Sequence, residues 1–505
     1  MLRRLSGPAV AAWLIVASPA PASAAVGWGI NLDGSLAAGQ SAFTYQADPY
    51  FTQLLGGASC AHPDAICYAR ILVPWDAASD GKGSFSGGTC AAAPSGTGSW
   101  DALYRAEVAA ASRAVGAAHV LVALTMAGNA GDDIWPTDAE YGCGLTGLER
   151  QAPGVREWEV FNEPDSIYYQ DSTATGGPDC THRNGVWVRG ASAGSSGGFA
   201  YQCLFATPAV KGVGANGHGG NAQGAAYWYV DAKQADPSPD HTLLAGGFNY
   251  GSSRCTPSTC YYLGGYLRTL SRIYPKPPDA IALNPYLDVN YAALNGGSPV
   301  PPASSGLPSG QGAIESIDQF YPSHPQVWFT EVGVWLTDGG KESVTSACGD
   351  GNPQDDGTWA ACLNGNPTAQ ALAAEGYLRL PSESSQVARV YYYDFANQNP
   401  GWDSGLVNLS SPLLGSHGYG TPRTAWCVMH AFAQGATAAE AASAAVRPGS
   451  PCDYAQRGDA PVVDAAYLSD PLSVSPSAET PAQIGRDDML IVADRVRVLA
   501  SALTG

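Results

Sequence analysis

The sequence predicts an α/β fold closed as a (β/α)8, or TIM, barrel. Eight short apolar stretches recur along the chain, most of them alternating with stretches of helical periodicity. That alternation makes neighbouring strands parallel, because a parallel crossover needs a helix-length connection. Eight such units suit a barrel, and no Gly-x-Gly-x-x-Gly turn follows any strand, which argues against an open doubly wound sheet.

The strands are expected at Val26–Asn31, Ala65–Trp75, His119–Met126, a stretch from Trp158 to Glu163, Thr242–Phe248, Ala280–Tyr286, Val327–Gly333 and Val387–Phe395. Helices are expected at Pro49–Leu55, Ser99–Val115, Ala225–Ala235, Tyr261–Tyr274, Ala313–Phe320, Thr368–Leu378 and Arg423–Phe432. The helical pattern is weakest between the third and fourth strands. Residues from Asp165 to about Gly224 form a long insertion after strand 4, rich in Gly, Ser and Thr, of the kind that serves as a lid or binding loop.

The ends differ in character. A basic start at Arg3 and Arg4, an apolar run from Ala9 to Val16 and the small residues Ala22-Ser23-Ala24 have the layout of a secretory signal peptide over residues 1–24. Its apolar run is too short to span a membrane, so the protein is expected outside the cell, with no membrane partner. The barrel domain is expected over residues 25–435. Residues 436–505 read as a short helical C-terminal extension packed on it, with helices at Ala438–Val446 and Asp487–Leu503.

Composition narrows the partners. With 25 Lys+Arg against 44 Asp+Glu, the formal charge is −19, which excludes an electrostatic nucleic-acid binder. The 12 cysteines, on an exported chain, are expected in disulfides, with Cys60/Cys67, Cys255/Cys260 and Cys348/Cys362 close enough to staple local loops. No Cys-x-x-Cys or His-Glu-x-x-His spacing occurs, so neither a metal nor another cofactor is implied, and a monomer is expected.

Two stretches concentrate the chemistry. Trp158-Glu159-Val160-Phe161-Asn162-Glu163-Pro164 is an apolar strand ending in a carboxylate, with Pro164 stopping the pairing and holding Glu163 extended. Val327-Trp328-Phe329-Thr330-Glu331 repeats the pattern 168 residues later. In a barrel of this kind, side chains at the C-terminal ends of strands converge on one mouth. Arg70, Asn162, Glu163, Asn284, Tyr286 and Glu331 all fall at such ends. Tyr168, Tyr169, Trp187 and Trp402 are aromatic candidates for stacking on a ligand ring. Gly190-Ala191-Ser192-Ala193-Gly194 matches a nucleophile-elbow pattern but lacks a buried strand before it and a helix after it.

The Asn162-Glu163-Pro164 motif after a Trp-bearing fourth strand, with Glu331 ending the seventh, resembles clan A of the glycoside hydrolases. The likeness runs from Val26 to Phe432. It implies a retaining glycosidase acting on a β-linked carbohydrate, with Glu163 as general acid/base and Glu331 as nucleophile. Such chemistry needs two carboxyls about 5–5.5 Å apart, one protonated and one ionised. The resemblance further implies that Arg70 and Tyr286 hydrogen-bond the nucleophile and that Asn162 and Asn284 face the sugar. Departures are visible. Asn284 stands where many members have His, Thr125-Met126-Ala127-Gly128 lacks a His common there, and Tyr393 or Phe395 replaces a strand-8 Trp. A transglycosylase or a carbohydrate-binding protein without turnover are the alternatives on the same scaffold.

Overall fold

The computed structural model describes residues 26–32, 49–55, 66–75, 77–78, 99–125, 138–163, 180–183, 186–189, 224–248, 255–256, 259–299, 309–336, 363, 366–395, 404–408 and 421–448. Eight parallel strands close into one barrel: β1 Gly27–Asn31, β2 Ile66–Pro74, β3 Val120–Thr125, β4 Glu157–Glu159, β5 Thr242–Phe248, β6 Ala280–Leu283, β7 Gln326–Val332 and β8 Val387–Tyr392. Each pairs with its neighbours in sequence, and β8 returns to β1, Gly29 lying opposite Tyr391. Covered on both faces, these strands are near-continuous apolar runs; in β3 every residue from Val120 to Thr125 is buried.

Helices α1 Pro49–Leu54, α2 Ser99–Val115, α3 Asp138–Gln151, α4 Gly224–Ala235, α5 Tyr261–Ile273, α6 Tyr286–Ala292, α7 Gly310–Phe320, α8 Pro367–Arg379 and α9 Thr424–Ala433 surround the barrel. Their starts are set by side chains. Ser309 accepts from the Gly312 N–H and Asn366 from the Ala369 N–H, with Pro367 in the first turn of α8.

α3 occupies the gap where the helical pattern was weakest. Its three glycines, Gly142, Gly144 and Gly147, depress helical propensity. Packing explains the second of them, since a Cβ on Gly144 would lie 2.4 Å from the Trp75 carbonyl oxygen. α10, Ala438–Ala445, packs on α8 and α9 and opens with a capping box between Thr437 and Glu440.

Three expectations are corrected. Ala280–Tyr286 is not one strand: pairing ends at Leu283, and Tyr286 opens α6 after Pro285, which has no N–H for a ladder. Glu163 is not extended: its φ is 41°, in the left-handed region, and its N–H is held by the Gly247 carbonyl at 2.8 Å. The insertion after strand 4 is not wholly irregular either, since Cys180–Arg183 and Val186–Arg189 form an antiparallel ribbon. A second ribbon sets Cys255 opposite Cys260. Cys67, Cys143 and Cys427 are disulfide-bonded, and no cysteine is free among the described residues. No helix among them is long and apolar enough to cross a membrane.

The lumen is filled from below. Leu121, Leu244, Ala280, Ala282, Trp328 and Tyr391 form a cluster inside the barrel, with Tyr68 and Ala388 against it. The Arg389 guanidinium lies 4.1 Å from the Tyr68 ring centroid and 5.2 Å from that of Trp328, a cation–π plug that closes the floor. β1 makes room for these rings: a Cβ on Gly29 would sit 2.3 Å from the Tyr391 ring. Gly29→Ala should therefore overpack the lumen and lower stability by about 1–3 kcal/mol, read as a lower urea midpoint at unchanged slope.

Candidate active site

The mouth is built from backbone pins first. Beyond β4 the chain no longer pairs as a strand but still bridges its neighbours: Val160 N–H donates to Leu244, Asn162 N–H to Leu124 and Glu163 N–H to Gly247. From outside, Tyr141 of α3 donates its hydroxyl to the Val160 carbonyl at 2.5 Å, and Trp228 of α4 stacks on Tyr141 and tilts against Phe161. Asn162 and Glu163 are thus clamped by two helices and two strands, and both side chains are buried.

On β7 an irregularity does the aiming. Phe329 pairs with Val390 and Val332 with Tyr392, so β7 uses one more residue than β8 over the same span. An extra residue of this kind re-aims side chains that would otherwise alternate. Thr330 and Glu331, neighbours in sequence, both reach the mouth: the Thr330 hydroxyl donates to Asn284 Oδ1 at 2.9 Å, while Glu331 meets Arg70 and Tyr286.

Arg70 is the hub. It is fully buried midway along β2, not at the strand end as expected, and donates from every nitrogen. Nε binds Glu159 Oε2 at 2.8 Å, Nη1 binds Asn31 Oδ1 at 2.7 Å and Glu331 Oε1 at 2.6 Å, and Nη2 binds Asn162 Oδ1 at 2.9 Å. Glu331 Oε2 accepts from the Tyr286 hydroxyl at 3.1 Å. Burial first, and then the charge of Glu331, pushes the Tyr286 phenol well above its ordinary range, so it stays a neutral donor. Tyr286 is held in turn, stacked on Trp335 and met edge-on by Tyr393, while Asn290 donates to the carbonyls of Tyr286 and Gly333.

The second carboxylate is held differently. Glu163 Oε1 accepts from the Asn284 amide at 2.8 Å, a neutral donor whose own oxygen is fixed by Thr330. One site therefore contains a carboxylate on a guanidinium and a phenol, and a second carboxylate on an amide. The described contacts bring together Arg70, Asn162, Glu163, Asn284, Tyr286 and Glu331. Tyr168, Tyr169 and Trp402 lie outside the described residues, as does Gly190–Gly194; Trp187 stands on the ribbon after strand 4.

Solved structures that overlay on the chain include xylanase 10B from Thermotoga maritima, 11% identical over 82% of this chain and 96% of that one, TM-score 0.41. GH5_18 from Streptomyces cattleya in complex with GlcNAc is 10% identical over 85% and 83%, TM-score 0.40. The endo-1,4-beta-xylanase XylE of Penicillium canescens is 13% identical over 81% and 93%, TM-score 0.41. No family model and no curated protein matches the chain.

Two residues of the site, Asn31 and Glu159, were not among the expected ones although each ends its strand. Asn31, at the end of β1, holds Arg70 and also donates to the Thr330 carbonyl at 2.9 Å. Glu159, fully buried as the last residue of β4, takes Arg70 Nε; the signal for it was a carboxylate between the apolar residues Trp158 and Val160, four residues before Glu163. Tyr393, rather than Phe395, reaches the mouth from the eighth strand, because Phe395 packs in the core against Phe51.

Elsewhere, Glu149, Asp236 and His241 bring ligand atoms within 4.8 Å of one another among the described residues. They sit on the connections leading into β4 and β5, at the opposite end of the barrel. His241 Nδ1 lies 2.6 Å from Asp236 Oδ2, and Asp236 Oδ1 accepts from the Ser238 N–H. Burial, with Asp236 beside it, pushes Glu149 up to about 8, and the trio closes as a hydrogen-bonded clasp with a retained proton.

Burial also pushes Glu159 and Glu157 up to about 7, against the nearby guanidinium of Arg70 in the first case and Arg389 in the second. The 2.8 Å ion pair pulls Glu159 the other way, but Arg70 is divided between two carboxylates, and desolvation prevails. Between the unfolded carboxyl range and these values the folded state binds more protons than the unfolded one, so stability falls as pH rises. The urea midpoint of the wild type should decline from pH 5 to pH 8, and Glu159→Gln should shallow that decline. Arg70→Met would leave two buried carboxylates facing each other at a cost of about 3–5 kcal/mol at pH 8. The loss should shrink at pH 5, where Glu159 is protonated.

Proposed function

We propose that this protein is a retaining glycoside hydrolase that cleaves β-glycosidic bonds by double displacement. One observation carries the reading: two strand-end glutamates share a buried mouth, Glu331 with a guanidinium and a phenol and Glu163 with an amide. A fixed cation favours the ionised form of a carboxyl, and a neutral amide does so less. Glu331 is then the nucleophile that attacks the anomeric carbon, and Glu163 the acid that protonates the departing oxygen. Glu163 afterwards takes a proton from the water that resolves the glycosyl-enzyme. Arg70 and Tyr286 hold Glu331 in line. Asn162, fixed through its oxygen by Arg70 and next in sequence to Glu163, is placed to meet a sugar hydroxyl beside the reacting carbon.

The apolar signal-like start and the cysteine content support an exported enzyme acting on extracellular glycans. Tyr168 and Trp402, which follow strands 4 and 8 in sequence, are proposed as sugar-stacking residues. Transglycosylation would differ only in whether a sugar replaces water as acceptor.

The test is hydrolysis of aryl β-glycosides and of xylan, mannan, galactan and β-glucan, with product configuration followed by NMR. The β-configuration should be retained. Glu163→Gln should lower the rate on poor leaving groups by about 10²–10⁴-fold, and far less on activated aryl leaving groups that need no proton. Glu331→Ala should abolish double displacement; inverted product, or full activity in Glu331→Ala, would overturn the assignment.

A further inference from the structure

We infer that Glu159 is a positioning residue that acts through Arg70 to set the reactivity of Glu331; this rests on the glycosidase reading of the same site. Glu159 and Glu331 lie on different strands, and one guanidinium joins them, Nε at 2.8 Å from Glu159 Oε2 and Nη1 at 2.6 Å from Glu331 Oε1. The Nε bond fixes the plane of the guanidinium. Because the fork is rigid, holding Nε also fixes where the Nη1 and Nη2 hydrogens point, toward Glu331, Asn31 and Asn162. Glu159 itself is fully buried, so it touches no substrate.

The electrostatic consequence follows from sharing. With Glu159 ionised, Arg70 neutralises two carboxylates at once, and Glu331 keeps more of its own charge for attack. With Glu159 neutral, Glu331 receives the whole cation and becomes a weaker nucleophile. The groups that face this pair are few among the described residues. Tyr141 of α3 and the Thr330 hydroxyl act on Glu159, Tyr391 of β8 faces Arg70, Tyr286 of α6 faces Glu331 with Tyr393 and Glu163 beside it, and Glu157, paired with Arg389 of β8, lies two residues below Glu159 on β4. Burial pushes Glu159 up to about 7, so the switch falls in a working range of pH.

The experiment compares wild type with Glu159→Gln, which keeps the shape and an acceptor for Nε but removes the charge. At pH 8, kcat of the variant should be about tenfold lower, with KM within about twofold. At pH 5, where wild-type Glu159 is protonated, the two should coincide. Identical profiles at every pH, or a loss equal at every pH, would overturn the inference. A second readout needs neither a variant nor a substrate. With carboxyl-¹³C glutamate, the Glu331 signal of the wild type should show a step at the pH where Glu159 titrates, as coupled sites do. No such step overturns the coupling. A step in a protein that turns over no glycoside and takes no 2-fluoroglycoside label on Glu331 retains the coupling and overturns the glycosidase reading alone.

Discussion

A guanidinium sealed inside a barrel must have a partner on each edge, or its desolvation would unfold the protein. Arg70 meets that demand with Glu159, Asn31, Glu331 and Asn162, drawn from β4, β1, β7 and the segment beyond β4. The barrel's upper layer is therefore polar where its lower layer is aromatic. Everything at the mouth is placed relative to this one cation: the carboxylate it holds, the amide it orients, and the phenol that completes the cage around Glu331.

The lower layer makes that arrangement rigid. Tyr68, Trp328 and Tyr391 around Arg389 fill the lower lumen. Outside, Tyr141 and Trp228 press on the segment that carries Asn162 and Glu163. A functional side chain is only as well placed as its support, and here the support is two helices, two strands and a filled floor. The left-handed backbone of Glu163 is a strained conformation, of the sort that persists where surrounding packing over-determines it.

Charge distribution distinguishes the two glutamates at the mouth. One is bonded to a cation that cannot lose its proton, the other to an amide that carries no charge. A pair of carboxyls with unlike surroundings is what an acid and a nucleophile working together require. Glu159 adds a third carboxyl that competes for the same cation, and so links the pH of the medium to the character of the site.

Much of this was legible in the chain. Seven of the barrel strands follow from apolar runs, because a parallel strand covered on both faces is apolar along most of its length, while the fourth pairs only over Glu157–Glu159, ahead of most of the run expected for it. Glu163 and Glu331 were visible because a charge at the end of such a run has nowhere to go but the mouth; Arg70, midway along β2, stood out as the one charge in an otherwise apolar run. α3 was obscured because its glycines serve packing against Trp75 rather than helix propensity. The ribbon after strand 4 carried its own signal, Asn184-Gly185 between two short β-prone runs, which the loop-like composition around it outweighed.

What only the tertiary structure decided is which side chains meet. Strict alternation would send Thr330 and Glu331 to opposite faces, and the extra residue in β7 that brings both to the mouth depends on pairing with β8. The partnership of Glu159 with Arg70 spans 89 residues of chain and leaves no local pattern. The sequence by itself determined the strand-helix repeat and the strand-end carboxylates, because both are local consequences of burial. The closure of the ring decided the hydrogen-bond network among them, because that depends on register between strands far apart in sequence.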